Sequence, residues 1–148
     1  MVMRPFPRFL SALLASFAVA HAADYHPSLP AIGSLDGLGV NIHFTEPQPG
    51  ELEMIKAAGF KWVRMDFAWA GTEREAGKYD FAAYDRLVAA LEKHSLRAVF
   101  ILDYGNPLYD EGLAPHTDAA RAAFAKWAAA AVGHFKGRGF LWELWKKN

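Results

Sequence analysis

Cysteine is absent from the 148 residues. The chain therefore has no disulfide framework, no thiolate nucleophile and no cysteine-based zinc site. An excess of one charge is also missing, since 16 Lys and Arg stand against 16 Asp and Glu. No global basic field then favours nucleic acid as a partner. The six histidines are dispersed and form no pair at helical or strand spacing, so neither a metal site nor a cofactor is expected. Beyond residue 22, every apolar run is broken by a charge or a glycine, so none is long enough to cross a bilayer. With 53% hydrophobic residues, disorder is excluded as well. Fold and function rest on apolar packing and on His, carboxylate, Arg and aromatic chemistry.

Residues 1–22 read as a secretory signal. Arg4 and Arg8 give a positive start, an apolar run follows from Phe9, and Ala20-His21-Ala22 offers the small residues of a cleavage site. The run of about 12 apolar residues falls short of the ~20 that a membrane span needs. The expectation is cleavage after Ala22, a secreted or periplasmic protein, and no membrane association afterwards. Residues 23–35, with Pro, Ser and Gly, read as an extended lead-in to one domain over 36–148.

Within that domain, strand and helix signals alternate. Strands are expected over 39–44, 61–67, 97–103 and 140–145. Helices are expected over 51–58, over 80–94 with Tyr84, Leu87, Val88 and Leu91 on one face, and from Thr117 or Asp118 to Phe135. This β-α-β-α-β-α-β order implies a parallel sheet, α/β in class. An open doubly wound sheet and part of a (β/α)8 barrel both fit the order. The turn after the first strand, Thr45-Glu46-Pro47-Gln48-Pro49, lacks the glycines that cradle a dinucleotide's phosphates.

Strand parity favours a barrel with a polar interior. In the second strand Trp62, Arg64 and Asp66 share one face, and Val63, Met65 and Phe67 share the other. In the first strand Asn41 and His43 lie opposite Val40 and Ile42. The apolar faces should meet helices. The polar residues lie toward the C-terminal strand ends, where barrel enzymes hold their chemistry. Arg64 and Asp66 would either serve a ligand there or form a buried structural ion pair with each other, Glu143 being a candidate third member.

Three stretches then follow one another in order: Gly59-Phe60-Lys61-Trp62-Val63-Arg64-Met65-Asp66, Gly77-Lys78-Tyr79-Asp80-Phe81-Ala82-Ala83-Tyr84-Asp85 and Trp142-Glu143-Leu144-Trp145. Together they resemble the N-terminal part of the (β/α)8 glycoside hydrolases of the large retaining clan of cellulases, mannanases and xylosidases. The stretches correspond to that family's Gly-x-x-x-Val-Arg second strand, the entry to its second helix and the approach to its Asn-Glu-Pro at the end of the fourth strand. The resemblance implies a partial TIM barrel, hydrolysis of O-glycosyl bonds in oligo- or polysaccharides, and carbohydrate as the partner.

By that resemblance, the substrate-binding candidates are His43, Arg64, Asp66, Trp69, Tyr104 and Asn106. Arg64 matches the arginine that contacts the family's nucleophile. Trp69 would stack on a sugar ring or pack its loop, and Tyr104 and Asn106 would line the same cleft. The sequence departs from the pattern at Lys146-Lys147-Asn148, where Lys147 occupies the family's acid/base position. The nucleophile belongs to a seventh strand outside this sequence. Retaining hydrolysis needs two carboxyl groups about 5–5.5 Å apart, and a lysine ammonium replaces neither. No catalytic residue is therefore assigned, and a truncated, inactive fragment is expected. The alternative is a non-catalytic carbohydrate-binding or self-associating half-barrel, open at the edges of its first and fourth strands.

Overall fold

A computed structural model describes residues 37–145. The expected signal over 1–22, the lead-in over 23–35 and Lys147 lie outside the described residues. The elements run β1 (Gly39–Asn41), α1 (Glu51–Ala57), β2 (Trp62–Ala68), α2 (Trp69–Thr72), α3 (Ala82–Lys93), β3 (Arg97–Asp103), α4 (Asp118–His134) and β4 (Leu141–Leu144). A single 3-10 turn, Asp110–Gly112, lies between β3 and α4.

The four strands form one parallel sheet in the order β1-β2-β3-β4. Spatial order follows chain order without reversal, which is how a (β/α)8 barrel winds. A doubly wound sheet reverses direction at a switch point. The described sheet therefore has the barrel progression, and the open alternative falls away.

Alternation along β2 divides the molecule. Val63, Met65 and Phe67 are buried, while Trp62, Arg64, Asp66 and Ala68 are partly open. On β3, Ala98, Phe100 and Leu102 point into the same core. From α3, Tyr84, Leu87, Val88 and Leu91 cover them at a spacing that returns to one helix face every three to four residues. From α4, Ala120, Trp127 and Ala131 are buried, and the alanines let the helix approach the sheet closely. Phe67 sits at the centre, with ring centroids of Tyr84, Phe100, Trp142 and Phe135 at 3.9, 5.6, 5.5 and 5.9 Å.

Helix ends follow their local chemistry. Thr117 caps α4, its Oγ1 accepting from the Ala120 N–H at 3.2 Å. The Asp110 carboxylate in turn accepts from Thr117 N and Oγ1 and from His116 N, at 2.9, 2.7 and 2.6 Å. The Asp80 carboxylate accepts from Ala82 N at 3.0 Å, so α3 begins two residues after the expected position. β1 is shorter than the expected 39–44. Its ladder to β2 ends with Ile42 N donating to Arg64 O at 3.0 Å, and the chain then departs toward the prolines of the next turn. Gly39 is obligatory in this pairing, because a Cβ there would lie 2.9 Å from the Trp62 carbonyl oxygen.

Phe67→Ala is expected to destabilise the fold by about 3–5 kcal/mol, because the surrounding rings come from four different elements and cannot all collapse inward. Urea unfolding followed by near-UV circular dichroism measures the loss.

Candidate functional site at the C-terminal strand ends

Three strands deliver charge to the face opposite the core. β2 places Arg64 and Asp66 there, β3 ends in Asp103, and β4 carries Glu143. Register aligns them, since Asp66 lies beside Ile101 and Ile101 beside Glu143, while Ala68 lies beside Asp103. Arg64 donates through Nε and Nη2 to Glu143 Oε2, at 3.2 and 2.8 Å. Their side chains are 30% and 39% exposed, so solvent screens the pair and it adds at most about 1 kcal/mol. The pair orients the guanidinium more than it stabilises the fold. The buried ion pair expected of Arg64 and Asp66 is thus replaced by a partly exposed pair of Arg64 with Glu143.

Asp66 is engaged differently. Tyr104 folds back and its hydroxyl donates to Asp66 Oδ2 at 3.0 Å. Tyr104 has φ 63°, a left-handed conformation that costs a bulky residue energy and marks a constrained turn. The residue remains 49% exposed beside the carboxylates. The loop that makes this turn is closed tightly, because a Cβ on Gly105 would sit 1.9 Å from the Gly112 carbonyl oxygen.

Asp103 was not anticipated as a site residue. It is 6% exposed, and its Oδ1 has no hydrogen-bond partner among the described residues. Burial foremost, and then the charge of Asp66, raise its pKa to about 6 against the opposing pull of Arg64. Its parity with Val99 and Ile101, at the C-terminal end of a strand, was the available signal. Toward the other end of the strands the same face forms a concavity of about 450 Å³, lined by Gly39, Asn41, Trp62, Arg64, Val99 and Leu141.

The structure thus brings Arg64, Asp66 and Tyr104 together. His43 lies just beyond β1 and is exposed. Trp69 and Asn106 are placed elsewhere, and the expectation of a sugar platform at Trp69 is corrected. Trp69 opens the helical turn α2 and is wholly buried, with one face stacked on Tyr109 at 4.9 Å and an edge of Phe124 at 5.2 Å. Asn106 is buried too. Its Nδ2 donates to Glu73 O at 2.8 Å and its Oδ1 accepts from Leu108 N at 2.9 Å, so both ends of the amide serve the fold.

Both residues belong to a network around Glu73, a buried carboxylate that the sequence reading passed over. Glu73 accepts from Trp69 Nε1, from Gly77 N at 2.7 Å and from the Tyr109 hydroxyl at 2.8 Å. Beneath it, Trp127 Nε1 donates to Thr72 Oγ1 at 2.8 Å. The network ties the loop after β2 to the loop after β3, the one that carries Tyr104. Burial, together with the Glu73 hydrogen bond and charge, pushes the Tyr109 hydroxyl up to about 12. Among the described residues, no group of three His, Asp or Glu is placed to hold a metal ion. No described helix is long and apolar enough to cross a membrane.

Comparison with known proteins agrees with this geometry. The glycoside hydrolase 42 family model, described as beta-galactosidase, matches residues 46–107. No curated protein sequence matches the chain. Among solved structures, a family 39 glycoside hydrolase from Bacteroides cellulosilyticus WH2 is similar with a TM-score of 0.63 and 26% identity, over 73% of this chain and 24% of that one. A polyextremophilic beta-galactosidase from Halorubrum lacusprofundi gives 0.53 and 19%, over 72% and 21%. A GH39 enzyme from Xanthomonas axonopodis pv. citri gives 0.52 and 21%, over 76% and 27%. The last two, under a quarter identical, speak for the fold. The fold is therefore that of part of a (β/α)8 barrel, and over that part the chain is similar to glycoside hydrolases. It spans about a quarter of the length of the structures it matches.

Two outcomes follow from these carboxyl groups. Glu73→Ala strands the Trp69 and Tyr109 donors and should cost roughly 2–4 kcal/mol in denaturant unfolding. Glu73→Gln, which keeps one acceptor, should cost less and move the Tyr109 ultraviolet titration down from about 12. Asp103 gives a pH effect of definite sign. Its folded pKa of about 6 exceeds the ordinary 3.8, so between these values the folded state binds more protons than the unfolded chain. Its contribution to stability is complete below about 4 and is lost as pH rises through 6. The difference in melting temperature between wild type and Asp103→Asn should follow that course.

Proposed function

We propose that this chain supplies the arginine-bearing, sugar-facing part of the cleft of a secreted glycoside hydrolase acting on O-glycosyl bonds of oligo- or polysaccharides. The observation that carries the reading is the convergence of Arg64, Asp66, Tyr104 and Glu143 at the C-terminal ends of parallel strands. The family-model match and the family 39 glycoside hydrolase likeness support it. Directional donors and acceptors with an exposed tyrosine ring beside them suit a polyhydroxylated ring, which offers hydroxyls at its rim and C–H groups on its faces. The apolar, positively started residues 1–22 support export.

A second reading, binding of carbohydrate without cleavage, is favoured by the state of the carboxylates. Among the described residues, Glu143 is held by Arg64 and Asp66 by Tyr104, so neither stands free as half of an acid and nucleophile pair. Self-association belongs to this reading. β1 and β4 are the edges of the described sheet, and Leu141 and Leu144 are exposed on β4. The occupant proposed for those edges is a second copy of the chain.

The purified chain is expected to bind xylo-, manno- or cello-oligosaccharides with millimolar Kd, about 4 kcal/mol, in a tryptophan fluorescence titration. Arg64→Ala should weaken the binding. Hydrolysis of activated aryl β-glycosides should stay at the level of an equal-protein blank, and sedimentation velocity should show concentration-dependent association. Absence of saturable binding to every oligosaccharide would remove the sugar reading. Turnover abolished by Glu143→Gln would make Glu143 catalytic, and a monomer at all concentrations would remove the self-association.

A further inference from the structure

Asp103 stands out once the rest of the face is accounted for. Arg64 and Glu143 hold each other, and Asp66 holds Tyr104. Asp103 ends β3 on the same face, two ladder positions beyond the Asp66 row, and is 94% removed from solvent by its 6% exposure. Its Oδ1 is without a hydrogen-bond partner among the described residues. A buried carboxylate oxygen left unpaired is costly, and the next residue, Tyr104, has a left-handed backbone.

We propose that Asp103 is a ligand-binding residue, and that with Asp66 it receives two neighbouring hydroxyl groups of a neutral sugar, one on each carboxylate. The proposal deepens the carbohydrate reading above and rests on it. A vicinal diol presents two O–H donors a short distance apart, and Asp66 and Asp103, on adjacent parallel strands, each offer a carboxylate acceptor on the same face. Tyr104, already donating to Asp66, fixes which lone pairs of that carboxylate remain open.

The surrounding charges agree with a hydroxyl ligand. Asp103 faces Asp66 and Arg64 of β2, Glu143 of β4, Tyr84 of α3 and its chain neighbour Tyr104. Burial first, and Asp66 second, hold its pKa up at about 6. A hydroxyl donated to Asp103 stabilises its ionised form, so sugar binding and loss of the Asp103 proton favour each other. Affinity should therefore rise as pH increases through 6.

The test uses the full chain labelled with carboxyl ¹³C aspartate, with cellobiose, xylobiose, mannobiose and lactose as probes. The expected result is that one of these disaccharides shifts the Asp103 carboxyl resonance and lowers its titration midpoint below the ligand-free value. The same disaccharide should bind about tenfold or more weakly to Asp103→Asn and to Asp103→Ser, and the Asp103→Asn affinity should not change between pH 5 and 7.5. Circular dichroism melts confirm that each variant is folded, and the wild-type resonance answers even where a variant is not. Saturable sugar binding that leaves the Asp103 resonance unmoved overturns the proposal while the carbohydrate reading stands. Binding of no disaccharide, with Asp103 titrating near 6, overturns both, and the fluorescence titration tells the two failures apart.

Discussion

Phe67 packs against rings from α3, β3, α4 and β4, with Phe81, Tyr84, Phe100, Trp127, Phe135 and Trp142 all within 3.9–6.0 Å between centroids. A strand side chain that is anchored inward dictates where its neighbours go. With Phe67 committed to the helices, Asp66 and Ala68 must face the other way, and so must Arg64. A slip of one residue would put the arginine into the aromatic core and Phe67 beside the carboxylates, exchanging every favourable burial for an unfavourable one. The polar face therefore inherits its geometry from the apolar one.

The same division explains what could be read in advance. Strand parity separated Val63, Met65 and Phe67 from Arg64 and Asp66 correctly, because a pleated strand has a fixed period whatever its surroundings. The face of α3 followed from spacing, and β3 spans the expected Arg97–Asp103, one residue past its apolar run at each end. Loop residues carry no such period. Trp69 and Asn106 look like rim residues because each follows a strand, yet each is drawn inward by a partner distant in sequence. For Asn106 the partner is the backbone of Glu73, thirty-three residues away. Trp69 is covered by Tyr109. Glu73 and Asp103 were missed for the complementary reason. Buried acids have no compositional mark, and only the surrounding donors of Glu73, or their lack at Asp103, set them apart.

These two acids show how the fold treats buried charge. Glu73 is given hydrogen-bond donors from an indole, a phenol and a backbone amide, so among the described residues neutral donors spread its negative charge. Asp103 lies instead near like charge, and Arg64 compensates it only in part. The first arrangement makes a rigid joint between two loops. The second leaves a carboxyl that changes state under mild conditions. One is suited to support and the other to response, Glu73 in the loop that follows β2 and Asp103 at the end of the neighbouring strand β3.

Tyr84 has a role along the strand axis that packing alone does not supply. Its hydroxyl donates to Asp66 O at 2.9 Å and accepts from Ala68 N at 3.1 Å, the two backbone groups that flank Phe67. Aromatic rings slide over one another with little change in energy, so the core by itself would let α3 drift lengthwise over β2. A hydroxyl held at two points does not slide. The tyrosine acts as a ruler between helix and strand, and a phenylalanine in its place would keep the contact while erasing the measurement.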